Sequence, residues 1–145
     1  LINQVEKIFV KRFNNKKIIK TDSVTAELIK YMNNTFFATK ISIMNEFKLL
    51  CDSIGANWEE SVIGFVSDGR VADSHIDVPG HDGKLGYGGT CFPKDVSSLI
   101  NFAKKYSINL NTIKGGWETN LQLRNDKDWE KKIGRSVNFK NKKHL

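Results

Sequence analysis

Apolar residues recur in steps of three and four along the first half of the chain, the period of a helix that buries one side. Ile2, Val5, Ile8 and Phe9 within "INQVEKIFVKR" predict a first helix, and "IIKTD" after the turn "FNNKK" predicts a short strand. A helix followed by a strand, with nothing before it, reads as the end of an α/β domain, here residues 1–22. From Ser23, a suitable N-cap, Val24, Leu28, Tyr31, Thr35, Thr39, Ile43, Phe47 and Leu50 trace one stripe, widened by Met32, Phe36 and Ile54. Gly55 suits the left-handed residue that closes a helix. A helix over 24–54 would be about 46 Å long at roughly 1.5 Å per residue. Average helices hold about 11–12 residues, so one of this length spans a large domain or packs against a partner subunit.

Asn57, with Glu60 three residues later, predicts the start of a second helix before "SVIGFV". "SDGR" is a turn. Residues 71–90 have no period and are rich in glycine, which predicts a long irregular loop of the kind that carries function or is disordered. Pro93 suits the first turn of a third helix with Val96, Leu99, Ile100 and Ala103 on one face. After "INLNTIKGG" the pattern weakens. The expected organisation is mainly α: an α/β remnant over 1–22, a central helical domain over 23–125 built on one long helix with shorter packed helices, and a tail over 126–145.

Charge changes the picture only at that tail. The net charge is +7, but residues 131–145 hold six Lys or Arg and no acid, leaving +1 for the rest. The basic excess is therefore a solvated end rather than a nucleic-acid-binding face. No apolar run approaches the ~18 residues of a membrane span, and no signal peptide precedes the first helix. Two cysteines make no disulfide framework at this length; reduced thiols in a cytoplasmic protein are expected, with Cys51 a small core residue. The start at Leu1 rather than Met reads as a fragment, a processed product or an incomplete reading frame.

The candidate chemistry sits in "GYGGTCFPKD", residues 86–95. Cys91 would lie just before a helix, where free amides and the helix dipole favour a thiolate. Lys94 adds positive charge in the first turn, and Asp95 could accept a proton or hold water beside the sulfur. The same spacing fits a buried structural cysteine. Lys30 and Asn34, four apart, share a face of the long helix; alone, Lys30 reads as a surface lysine and Arg70 as a solvated charge. Other motifs fail. "GYGGTC" has Cys91 where a dinucleotide loop needs its third glycine, and no strand precedes it. A cysteine phosphatase would need arginine where Ser97 stands, and His75, His81 and His144 show no zinc spacing with either cysteine.

"GYGGTCFPKD", taken with "AELIKYMNNTFFATKISIMNEF", resembles the UDP-glucose 6-dehydrogenases of the wider UDP-glucose/GDP-mannose dehydrogenase family. Two motifs in the right order and at a suitable distance are far more specific than either alone. The resemblance implies a Rossmann-like domain ending at the first helix and strand, then a dimerisation domain like the C-terminal part of 6-phosphogluconate dehydrogenase. It implies oxidation of the C6 alcohol of UDP-glucose to the carboxylate with two NAD⁺, through a thioester on Cys91. Lys30 would stabilise the oxyanion, Asn34 would hold that oxygen or a water, and Asp95 would support proton traffic. Arg70, Lys84, Gly86, Tyr87, Gly88 and Gly89 would join Lys30 and Asn34 in binding substrate, the glycines by letting backbone amides approach the sugar and its phosphate. Cys91 and Lys94 would border the nicotinamide. A homodimer through the long helix is implied, with Arg70 reaching across it and no nucleic acid or membrane as partner. The 145 residues alone are expected not to turn over, because no dinucleotide loop is among them. The alternatives are a non-catalytic dimerisation module and a dehydrogenase for another nucleotide sugar such as GDP-mannose.

Overall fold

The computed structural model describes residues 1–13 and 17–131. Five helices follow in order: α1 (Ile2–Arg12), α2 (Ser23–Ile54), α3 (Trp58–Val66), α4 (Cys91–Lys104) and α5 (Asn111–Leu123), with a 3₁₀ turn at Asp128–Lys131. The chain divides into two compact units, Leu1–Lys30 and the rest from Tyr31.

In the first unit, α1 buries none of its residues. Ile2, Val5 and Phe9 keep their helical spacing but stay about half exposed. Lys20 ties back to α1 through Glu6 at 2.8 Å and Asn3 at 3.3 Å. The strand expected at "IIKTD" does not form, and no strand occurs among the described residues. The physical reason is pairing: a single extended segment has no ladder partner for its N–H and C=O groups. Asp22, not Ser23, caps α2. Its carboxylate accepts the Thr25 N–H at 2.9 Å and the Thr25 hydroxyl at 2.7 Å, and those two bonds hold its pKa down to about 2.

The second unit is built on the remainder of α2. The residues it buries are Thr35, Ala38, Ser42, Met44 and Asn45; of the expected stripe Thr35 is among them, while its large members Leu28, Ile43, Phe47 and Leu50 stay exposed. Small residues let α5 approach closely. The Ser42 hydroxyl donates to the Gly116 carbonyl at 2.7 Å, and a Cβ on Gly116 would meet Thr39 at 3.4 Å. That contact explains how α5 runs through "KGG", where the sequence pattern weakens. Ala38, Tyr87 and Val96 form one core cluster, flanked by Ile41, Phe92, Ile100, Ile113 and Trp117. Met44, Ile76 and Val78 form the other, against Trp58, Val62, Val66 and Leu85.

The helix ends follow the sequence closely. Asn57 Oδ1 accepts the Glu60 N–H at 3.1 Å to open α3. Gly55, at φ +73°, closes α2. Residues 67–90 contain no helix, as expected, yet they are tied down. Ile76 and Val78 enter the second core cluster, and Lys40 Nζ donates to the carbonyls of Ala72 and Ser74 at 2.6 Å each. The expected tail also begins later than residue 126: Trp129 is buried, and Asp126 pairs with Arg124 at 2.7 Å. Most of the basic tail, residues 132–145, lies outside the described residues. Among the described residues, no helix is long and apolar enough to cross a membrane.

Candidate functional site

Cys91 is the first residue of α4, with Thr90 at the N-cap and Pro93 buried in the first turn. The thiol is exposed. It lines a cleft of about 660 Å³ together with residues 86–90, His75, Asp82, Arg124 and Asp128. Core packing sets the floor of this cleft. Tyr87 is buried, its ring edge-on to Phe92 at 5.9 Å and 6.1 Å from Trp117, and burial raises its phenol pKa.

Next to the thiol, α4 and α2 are joined by polar groups. Asp95 is fully buried. One of its oxygens accepts from Asn34 Nδ2 at 2.5 Å and the other from Lys94 Nζ at 2.7 Å. A buried carboxylate needs such partners, because desolvating it unpaired would be costly. Its hydrogen bond to Asp95 holds Lys94 above its ordinary pKa, more than desolvation lowers it. The predicted trio Asn34, Lys94 and Asp95 thus comes together. Lys30 is exposed, one turn before Asn34 on α2 and within the first unit.

The glycine segment differs from expectation in one respect. Its amides are already engaged by side chains of the protein. Gly86 N–H donates to Asn45 Oδ1 at 3.1 Å, Tyr87 N–H to Asn120 Oδ1 at 2.6 Å, and Gly89 N–H to both oxygens of Asp128 at 3.0 Å. Asn120 Nδ2 returns a bond to the Tyr87 carbonyl at 3.1 Å. A Cβ on Gly86 would overlap the Asn120 amide, and one on Gly88 would overlap Asp128 and the Arg124 guanidinium. Three of the amides expected to meet a phosphate therefore serve the fold, and two of the glycines admit the side chains behind them.

Lys30, Asn34, Lys94 and Asp95 are not among the residues that line the cleft, and neither are Arg70 and Lys84. Arg70 is exposed and pairs with Asp68 within its own turn; the Arg70 backbone N–H first, and its side chain second, lower the Asp68 pKa. Lys84 is exposed and pairs with Asp126. Sequence reasoning missed Asn45, Asn120, Arg124 and Asp128. A signal for two of them was present. Ile113, Trp117, Asn120 and Arg124 follow core spacing on α5, and polar residues at core positions mark buried hydrogen bonding.

Cys51, expected in the core, is half-buried. It lines a second cleft of about 260 Å³ with Met44, Phe47, Trp58, Ser61, Val62 and Phe65. Among the described residues, no cluster of His, Cys, Asp or Glu is arranged to hold a metal ion.

The chain is 39% identical over 106 residues to a UDP-glucose 6-dehydrogenase of Rickettsia felis, covering 73% of this chain and 22% of that protein. It is 38% identical over 107 residues to UDP-glucose 6-dehydrogenase TuaD of Bacillus subtilis, covering 74% and 22%. It is 34% identical over 124 residues to a UDP-glucose 6-dehydrogenase of Rhizobium meliloti, covering 86% and 26%. The chain thus spans about a fifth to a quarter of the length of these curated relatives. The profile of the UDP-glucose/GDP-mannose dehydrogenase family, central domain, matches residues 24–122, from the first turn of α2 to the last of α5 and including Cys91, and the chain belongs to that family.

Proposed function

We propose that this chain carries the cysteine-bearing central part of an NAD-dependent UDP-glucose 6-dehydrogenase, which converts the C6 alcohol of UDP-glucose to the carboxylate of UDP-glucuronate. The observation that carries the proposal is an exposed thiol at the start of α4, in a roomy cleft, beside a buried Asp95 that fixes Asn34 and Lys94.

The residues present fit the reacting end of the cofactor: an accessible thiol and a neighbouring cation on the first turn of α4. Among the described residues no strand leads into a glycine loop, so the cradle for the dinucleotide's phosphates is not one of their contributions. When bound, NAD⁺ supplies the acceptor for each of the two hydrides lost from C6. The chain's own part is covalent. Cys91 Sγ, as thiolate, adds to the C6 aldehyde, forming a C–S bond and placing the carbonyl electron pair on oxygen. Loss of hydride from that adduct leaves a thioester. Water then attacks the thioester carbon and the C–S bond breaks, restoring the thiolate; the product leaves as the carboxylate and the water's two protons pass to solvent. A cation or amide donor aimed at the transient oxyanion lowers the barrier. Asn34 is the donor assigned here, with Lys30 keeping its role of charge stabilisation on sequence grounds alone.

Asp95 acts by orientation in this scheme, since both its oxygens are occupied. Residues 86–89, through surface other than the engaged Gly86, Tyr87 and Gly89 amides, complete the proposed substrate contacts with Lys84 and with Arg70 from the second subunit of a homodimer. The uncovered apolar face of α2 favours that dimer: Phe36 is 66% exposed and Phe47 50%.

The test is protection of Cys91. Alkylation of the whole chain is followed by mass spectrometry with UDP-glucose, with GDP-mannose and with glucose alone. UDP-glucose should slow labelling at Cys91 and leave Cys51 unchanged. Protection by GDP-mannose alone would move the substrate to the other branch. Failure of both nucleotide sugars to protect would remove the cleft as their site.

A further inference from the structure

Asn45 and Asn120 hold the middle of the segment 82–90 through the Gly86 and Tyr87 backbone, and a third buried side chain, Arg124, ties its two ends. It is 3% exposed and stands at the end of α5. Its Nη2 donates to Asp82 at 2.6 Å and its Nε to Asp126 at 2.7 Å. Nη2 also lies 3.7 Å from Asp128 Oδ1, and the Asp128 carboxylate accepts the Gly89 N–H. The guanidinium therefore links the front of the segment, at Asp82, to its back, at Gly89. Cys91 is two residues further on. The fit is close, because a methyl group on Gly88 would run into both Arg124 and Asp128.

This group is not arranged to bind an anion. Arg124 and Lys84 face three carboxylates, Asp82, Asp126 and Asp128, which leaves the cluster negative. Its geometry is that of a bracket. Gly89 has φ +76°, a conformation that the Asp128 bond helps select at a residue with many alternatives. If that bond is lost, residues 88–90 gain other conformations, and the start of α4 that presents the thiol is no longer fixed.

We propose that Arg124 and Asp128 are positioning residues for Cys91, holding the glycine segment through the Gly89 amide so that the thiol faces the cleft. The inference rests on Cys91 as the reacting group. Its test reads the bracket directly, so it fails separately from nucleotide-sugar protection. Amide-resolved hydrogen exchange follows Gly89, while alkylation compares Cys91 and Cys51 in the same molecules. The free peptide GYGGTCFPKD gives the rate of an unheld Cys91.

Asp128→Ala should speed exchange at Gly89 by about tenfold or more, as expected for loss of a charge-assisted bond. It should also move the Cys91 rate to that of the peptide and leave Cys51 unchanged. Asp128→Asn keeps an oxygen acceptor and should restore most of the protection. Arg124→Lys keeps the charge but not the fork, and should fall between wild type and Asp128→Ala. Unchanged Gly89 exchange in Asp128→Ala would overturn the proposal. So would a wild-type Cys91 rate equal to that of the peptide. Parallel changes at Cys91 and Cys51 in Arg124→Lys would also overturn it, because they would mean general loosening rather than positioning.

Discussion

The two cysteines sit in clefts of different character. Around Cys91 the walls mix polar and apolar surface and the supporting polar groups are deeply buried: Asp95 and Asn120 have no exposed surface, and Arg124 has 3%. Around Cys51 the walls are apolar and only partly covered, with Phe47 50% and Phe65 44% exposed. Directional bonds fix geometry to tenths of an ångström, whereas apolar contact fixes little beyond proximity. The support behind Cys91 is therefore built from groups of its own chain. The Cys51 side, continuous with exposed Leu50 and Ile54 on α2, has the surface of something still to be covered.

The largest effect should come from cutting a buried bond on the Cys91 side. Asn120→Ala removes both hydrogen bonds to the Tyr87 backbone and leaves its N–H and C=O buried. The expected loss is about 2–3 kcal/mol in urea unfolding. Phe47→Ala, a larger deletion on the exposed side, should cost only about 1 kcal/mol in a monomer. The glycines sharpen the contrast. Gly88→Ala drives a methyl into Asp128 and Arg124 and should cost about 1–3 kcal/mol. Gly89→Ala has nothing within 4 Å of its Cβ and should cost about 1 kcal/mol through backbone strain alone. Equal losses for Asn120→Ala and Phe47→Ala would erase the distinction between the two sides.

Association is the next effect. Phe36→Glu with Phe47→Glu places charge on the uncovered face of α2. Sedimentation at tens of micromolar should show a dimer for the natural chain and a monomer for the double variant. A natural chain that remains monomeric would mean that this face is covered by something other than a second copy.

A smaller effect separates the thiols themselves. Cys91 is exposed at a helix start, and Cys51 is half-buried with its sulfur 3.9 Å from the Ser61 hydroxyl. Brief alkylation at neutral pH should favour Cys91 by about tenfold. Faster labelling of Cys51 would reverse the roles given to the two clefts.

Much of this was legible in the sequence, and the part that was not has a physical reason. Helix starts at Asn57 and Cys91 and the stop at Gly55 depend on local chemistry, which a few adjacent residues encode. The residues of α2 that pack within the chain were hidden because a stripe of large apolar residues draws the eye. Ala38 packs on Tyr87 and Val96, and Ser42 and Thr39 meet Gly116, a close approach that hydrophobicity alone does not signal. The purpose of the glycines was hidden for a related reason. Gly86 and Gly88 answer to Asn120, Arg124 and Asp128, more than thirty residues downstream, and nothing local announces that pairing.

The last prediction concerns acid, and it probes the bracket without changing a residue. The hydrogen bond from Arg124 lowers the Asp82 pKa below its ordinary 3.8, and that from Lys84 does the same for Asp126. A carboxylate with a lowered folded pKa adds stability above its unfolded value and loses it as pH falls through the folded value. The bracket is thus at full strength at neutral pH and weakens below about pH 4. Both carboxylates are partly exposed, so solvent screens them and the change should be smaller than that of Asn120→Ala. Its location is the informative part. Trp129, buried within the 3₁₀ turn that follows Asp128, should report loosening by fluorescence as pH falls from 5 to 3, before Trp58, which packs against the other core cluster. Single-tryptophan variants would separate the two signals. Asp82→Asn should flatten the Trp129 transition, because its amide does not titrate. If Trp58 responds first, the charged bracket is not the acid-sensitive part of the fold, and the polar side of the molecule owes its order to apolar packing after all.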